Sequence, residues 1–202
     1  MSTGPLASLR AALSAQPVLI FLAGPNGAGK TTFFEEYLEL LAVPYVNADR
    51  IGRLMQLDDR RAFTEAERLR AALVDARLSF CTETVFSDPA RAKLGFLETA
   101  SERGFAVFLV FIGLESAALS IARVKQLVRQ GGHDVPLDRL RARFPRTLAN
   151  LREALGIVDD AFLFDNSSFE TPYRIVAVCR EGAVVSRHPP LPGWTRRLPG
   201  LA

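Results

Sequence analysis

Residues 18–32, VLIFLAGPNGAGKTT, constrain this chain more than any other stretch. A short apolar run leads straight into Gly24, Pro25, Asn26, Gly27, Ala28, Gly29, Lys30 and Thr31. The spacing is G-x-x-x-x-G-K-T, a phosphate-binding loop set between a strand and a helix. Glycines at 24, 27 and 29 let the backbone adopt conformations closed to other residues and approach phosphate oxygens. Successive amides then converge on the anion, helped by the positive end of the following helix. Lys30 is suited to the β- and γ-phosphates and the Thr31 hydroxyl to Mg²⁺. With Thr32, residues 24–32 form the candidate site for ATP and its metal.

The rest of the chain alternates strand and helix patterns, which predicts an α/β fold with a mostly parallel central sheet flanked by helices. Residues 5–15 predict a short amphipathic helix. Val18–Ala23 is apolar throughout, as in a strand buried on both faces. Residues 30–41 predict a helix with two apolar stripes, Phe34/Leu38/Leu41 and Phe33/Tyr37/Leu40. A second short strand runs over 45–47, while 52–62 have no clear pattern. Thr64 and Glu67 have capping-box spacing and predict a helix from there to about Leu78. Residues 79–83 predict a third strand, and Asp88-Pro89 a cap and first-turn proline for a helix to Arg103 that Gly104 stops. A very apolar strand at 105–112, a helix at 116–129, a leucine-striped helix at 136–154 and a strand at 161–165 follow. Residues 173–179 and 183–186 predict a closing β-hairpin. The proline-rich tail, 188–202, is expected to be extended and to contribute little core. At 202 residues, without a repeat or dividing linker, the pattern predicts one domain over 1–202 with its core at about 17–187.

Ligands in such sheets bind beyond the carboxyl ends of the strands, so the polar clusters there are the site candidates. Asn47 and Asp49 follow the second strand. Asp49 could serve as base for an acceptor hydroxyl, or simply cap a helix starting at Arg50. Glu83 and Thr84 end the third strand. A carboxylate on an apolar strand needs a partner, which could be Mg²⁺, its waters, a substrate hydroxyl or an arginine. Third come Arg123 and the segment 131–146, GGHDVPLDRLRARFPR. Arg139, Arg143 and Arg146 share the helix face opposite the leucines, and Pro145 should bend that helix near Arg141. Double glycine and aligned arginines suggest a lid over about 123–147; a solvated basic face has the same pattern.

The combination GPNGAGKTT (24–32), NADRI (47–51), TETVFS (82–87), GGHDVP (131–136), RFPRTLANL (143–151) and FDNS (164–167) resembles the zeta-toxin family of small P-loop kinases in a short stand-alone form. The resemblance spans roughly 18–167. It implies the P-loop kinase fold and transfer of the ATP γ-phosphate to a hydroxyl of a UDP-N-acetyl amino sugar. It assigns Lys30 and Thr31 to nucleotide and Mg²⁺, Asp49 to the catalytic base, Glu83 to the acceptor, and Arg146 to the γ-phosphate. The family's upstream arginine falls near His133, a departure for which Arg123 or Arg143 could compensate. The family also implies an antitoxin as possible partner.

Three rival functions fit parts of the pattern. A transporter-type ATPase would carry an LSGGQ-like signature and four apolar residues ending in Asp-Glu, and neither is present. A nucleotide-binding regulatory protein would need no base at Asp49. A nucleic-acid kinase is disfavoured by a net charge of only +3 and by the lack of an aromatic-rich basic patch. Two cysteines make no disulfide framework, and no apolar run reaches membrane-spanning length. The expectation is therefore a cytoplasmic protein without membrane contact.

Overall fold

The computed structural model describes residues 5–131 and 135–201. Among them, seven strands form one sheet in the order β2-β3-β1-β4-β5-β6-β7. These are β1 Val18–Ala23, β2 Tyr45–Val46, β3 Phe80–Thr84, β4 Ala106–Gly113, β5 Asp160–Asp165, β6 Arg174–Arg180 and β7 Ala183–Arg187. The first five run parallel, while β6 and β7 are the antiparallel hairpin read from the sequence. β1 lies between β3 and β4, and every residue of β1 and β4 is buried. That burial on both faces explains their unbroken apolar sequences.

Alternate β1 residues feed two cores. Leu19, Phe21 and Ala23 face one that is closed by α4 (Asp59–Asp75), α5 (Ala92–Glu102) and α7 (Leu137–Ala154). Val18, Ile20 and Leu22 face the other, under α1 (Pro5–Leu13), the helical segment opened by α2 (Lys30–Phe33), and α6 (Ala117–Arg129). The remaining helix, α3, is Ala48–Met55. Ser116 caps α6 by accepting from the Leu119 amide. α5 stops at Gly104, as read from the sequence, and that glycine is left-handed.

Four local expectations are corrected. The helix over 30–41 passes into a π turn at Phe34–Leu38 and a 3₁₀ turn at Glu39–Leu41. The wider turn rotates the second stripe outward, leaving Tyr37 37% and Leu40 74% exposed. The Thr64/Glu67 capping box does not open α4: Asp58 does, accepting from the Arg61 amide at 2.9 Å. Thr64 is interior, its hydroxyl bonded back to Arg60 O. α5 starts at Ala92 rather than after Pro89, although Asp88 still accepts from the Lys93 amide. Finally, the tail is not simply extended. Gly193–Arg197 forms a 3₁₀ turn, and Trp194, Leu198 and Leu201 are buried in the first core. Trp194 lies against Gly113, where a Cβ would come within 2.4 Å of the indole, and its Nε1 donates to Asp165 Oδ1 at 2.9 Å.

Among the described residues, no helix is long and apolar enough to cross a membrane.

Candidate active site

Residues 24–29 leave the carboxyl end of β1 and enter α2 at Lys30. The turn demands glycine at two places. At Gly24 a Cβ would lie 2.2 Å from Ile112 O on β4. At Gly29, whose φ is +85°, it would meet the Tyr173 hydroxyl at 2.7 Å and Asn166 Nδ2 at 2.8 Å.

Four of the loop's carbonyls are engaged, three of them by side chains from outside it. Pro25 O accepts from Lys30 Nζ at 3.1 Å and from the Ala28 amide at 3.2 Å. Asn26 O accepts from Ser120 Oγ at 2.7 Å. Ala28 O accepts from Asn166 Nδ2, and Gly29 O from the Tyr173 hydroxyl, each at 2.9 Å. With those acceptors engaged, the loop amides other than that of Ala28 are left for an anion, so the cradle fits a triphosphate. Tyr173→Phe removes one of these donors. It is expected to weaken ATP binding about three- to tenfold, the range of one hydrogen bond; unchanged affinity by calorimetry would mean that the Phe33 amide, also bonded to Gly29 O, holds it unaided.

Lys30 is buried, and burial pushes its ammonium below the ordinary lysine range; Glu83 and Asp49 pull it back up, and Arg143 adds to the lowering. Phosphate would stabilise this desolvated cation. Glu83, near the end of β3, lies 3.9 Å from Lys30 Nζ through Oε1. Its Oε2 accepts from Thr31 Oγ1 at 3.0 Å and from the Tyr45 hydroxyl. A hydroxyl beside a carboxylate at a phosphate cradle is a donor set that suits Mg²⁺, which keeps most of its waters. Tyr45 is pushed up, first by burial and then by the Glu83 charge, so its phenol stays protonated as a donor.

Asp49 is exposed in the first turn of α3. The cap of this helix is Asn47, whose Oδ1 accepts from the Arg50 amide at 2.9 Å. The alternative of Asp49 as N-cap is thereby removed. Arg143 on α7 is half-buried; burial lowers it, then the charges of Arg139 and Arg146, while Asp49 raises it. Lys30, Glu83, Asp49 and Arg143 thus share one electrostatic environment. Arg146 is next to them in charge but spends its Nε on Ala142 O of its own helix, at 2.9 Å.

α7 runs unbroken through Pro145. Beyond it, the Thr147 hydroxyl donates to Val85 O at 2.9 Å and Asn150 Nδ2 to Phe86 O at 3.0 Å, tying the helix to the segment after β3. Before it, Leu137, Asp138 and Arg139 are exposed and Leu140 is buried.

The other candidates fall elsewhere. Arg123 does not join the α7 arginines: its guanidinium lies 4.9 Å from the Phe169 ring and donates to Ser167 O, with the Tyr173 phenol and the Asp165 carboxylate nearby. It lines the Gly27 side of the loop, where a Cβ on Gly27 would lie 3.0 Å from Arg123 Cβ. Thr32 is exposed. Thr84 Oγ1 accepts from the Phe86 amide and so shapes the strand exit. His133 lies outside the described residues. Sequence reading singled out neither Tyr45, Ser120 nor Tyr173, and quoted Asn166 only within FDNS. Their contacts span up to 144 positions, and no local spacing announces them.

No family model matches the sequence. An uncharacterized protein of Haemophilus influenzae is 28% identical over 133 residues, 62% of this chain and 91% of that one. Among solved structures, the AvrRxo1-ORF1:AvrRxo1-ORF2 complex, determined with sulphate ions and with ATP, matches at a TM-score of 0.67 and 18% identity over 89% of this chain. The match covers 64% of that chain, less than two thirds of its length. The PezAT toxin–antitoxin system of Streptococcus pneumoniae matches at 0.59 and 17% identity over 86% of this chain and 78% of that one. The chain has the fold of the zeta-toxin-like P-loop kinases. In this zeta-toxin-like fold the phosphate loop, the β2 and β3 exits and the α7 arginines meet at the carboxyl edge of the parallel strands, as the fold requires of its ligands.

Proposed function

We propose that the protein is an ATP-dependent kinase that transfers the γ-phosphate to a hydroxyl of a small metabolite, and that this acceptor is a UDP-N-acetyl amino sugar. The observation that carries the kinase reading is Asp49: an exposed carboxylate sharing the electrostatic surroundings of Lys30 and Arg143. A protein that only binds nucleotide has no task for it. The AvrRxo1 complex determined with ATP supports the donor. The motifs at 47–51 and 82–87 support the acceptor.

In this reading the acceptor hydroxyl gives its proton to Asp49 as its oxygen bonds the γ-phosphorus. The bond from phosphorus to the β,γ-bridging oxygen breaks, and ADP leaves. Lys30 holds the β- and γ-oxygens, while Arg143 and Arg146 offset charge that grows on the transferring group. Thr31 and Glu83 would hold Mg²⁺, which would supply positive charge against the phosphates. Arg123 serves the nucleotide end, and Asn47, Glu83, Thr84 and His133 are proposed to bind the acceptor. The lid covers about 123–147, with the tethered Thr147 at its base. We also propose a cytoplasmic location and a separate antitoxin partner; the AvrRxo1 and PezAT structures are of paired proteins.

The test is incubation with ATP, Mg²⁺ and a panel of sugar nucleotides, dinucleotides and oligonucleotides. A sugar nucleotide heavier by one phosphate is expected. ATP hydrolysis without any phosphorylated product would overturn the kinase reading, and a product from another class alone would replace the acceptor. Arg146→Ala is expected to lower kcat more than it raises KM for ATP, because its charge matters most as the phosphoryl group departs. A change in KM alone would make Arg146 a ground-state binder.

A further inference from the structure

We infer that Tyr45 is a positioning residue for the metal end of this site: it fixes Glu83 so that the Thr31 hydroxyl keeps donating its proton toward the carboxylate and the Thr31 lone pairs stay open to Mg²⁺. The inference depends on the proposal that Thr31 and Glu83 receive Mg²⁺ with ATP.

A hydroxyl has one proton and two lone pairs. Once Thr31 Oγ1 donates to Glu83 Oε2, its lone pairs are turned away from the carboxylate. Were Glu83 to rotate off, the hydroxyl would be free to donate elsewhere and to turn a lone pair from the metal position. Tyr45 opposes that rotation by donating to the same oxygen, Oε2. Its ring cannot follow a moving carboxylate, because it is stacked on Phe34 at 3.6 Å between centroids and 8° between planes.

The direction of the phenol proton is also set. Asn47 Nδ2 donates to the Tyr45 oxygen at 3.1 Å, so the phenol's own proton is directed to Glu83. Asn47 cannot turn its amide round, because its Oδ1 is engaged by the Arg50 amide as the cap of α3. A single chain of donors therefore runs from the Arg50 amide through Asn47 and Tyr45 to Glu83. It begins on the helix that bears Asp49 and ends on the carboxylate that orients Thr31, linking the acceptor side to the metal side.

Two variants test this. Tyr45→Phe keeps the stacked ring and removes the donor. Asn47→Ser keeps a capping side chain and removes the amide that orients the phenol. Calorimetry with ATP is run in Mg²⁺ and in EDTA for wild type and both variants, with melting temperatures alongside. Wild type is expected to bind ATP more tightly in Mg²⁺. Tyr45→Phe is expected to lose about three- to tenfold of that tightening, and Asn47→Ser to lose part of it. Binding in EDTA should stay within about twofold for both, since neither variant alters the loop amides. If wild type gains nothing from Mg²⁺, the metal site itself is wrong. If wild type gains and Tyr45→Phe keeps the full gain, Tyr45 does not position Glu83. Equal weakening with and without metal would likewise overturn the inference, because it would mark a general structural role.

Discussion

Lys30→Ala is expected to abolish turnover, with a loss on the order of 10³-fold or more for removing one preorganised charge, and to weaken ATP binding strongly. Lys30 is the loop's own cation. It is buried, bonded to Pro25 O, and lies 3.9 Å from the Glu83 carboxylate. Removing it leaves Glu83 as an uncompensated negative charge facing the place where triphosphate must bind. Affinity therefore falls twice, through lost attraction and through added repulsion. The fold should survive, because Glu83 keeps its hydrogen bonds from Thr31 and Tyr45, and the apolar strand behind the loop is untouched. Calorimetry and a product assay check both halves. Normal affinity and turnover would mean that nucleotide binds elsewhere.

Asp49→Asn is expected to lower transfer to the acceptor at least about 10²-fold, at the low end of general-base catalysis, or roughly 3 kcal/mol of barrier. ATP affinity and melting temperature should barely move. The helix it sits on is capped by Asn47, so asparagine at 49 changes only basicity and charge. The substitution keeps the shape and removes the only property a base requires. A variant that transfers phosphate at near wild-type rate would send the search for the base to Glu83. Together the two variants separate a nucleotide site from a catalytic one: Lys30→Ala should lose binding and chemistry, Asp49→Asn chemistry alone.

What could be read from the residues was whatever is local. The phosphate loop is eight consecutive positions with fixed spacing, and β1 and β4 declare their burial by being apolar at every position. The Gly104 stop of α5 and the β6–β7 hairpin are likewise short-range signals. Competition between neighbouring signals misled the reading elsewhere. Asp58 and Thr64 both resemble caps, and the one that caps is Asp58, whose oxygen takes the Arg61 amide while the Thr64 hydroxyl turns back to Arg60 O. Asn47 and Asp49 are both good cap residues, and the one that caps is the one whose oxygen reaches the amide three residues on. The π turn at Phe34–Leu38 has no sequence code of its own; it appears as a periodicity that fails at Leu40. Tyr45 looked like an ordinary strand residue, because its task depends on Glu83, 38 positions away. Tyr173 and Asn166 shape the phosphate loop from a connection between β5 and β6. The tail looked extended because prolines dominate it, but an isolated tryptophan among prolines was a sign of an anchor.

That anchor also makes the molecule self-reporting. Trp194 is the chain's sole tryptophan, so indole fluorescence has a single origin. Its N–H is held by Asp165, and the next residue, Asn166, holds Ala28 O of the phosphate loop. The Asp165 oxygen that takes the indole N–H also accepts from Ser167, whose backbone oxygen receives Arg123. The indole therefore shares its carboxylate with the segment that braces the nucleotide cradle. The protein carries an intrinsic optical probe beside its candidate nucleotide site, without a label.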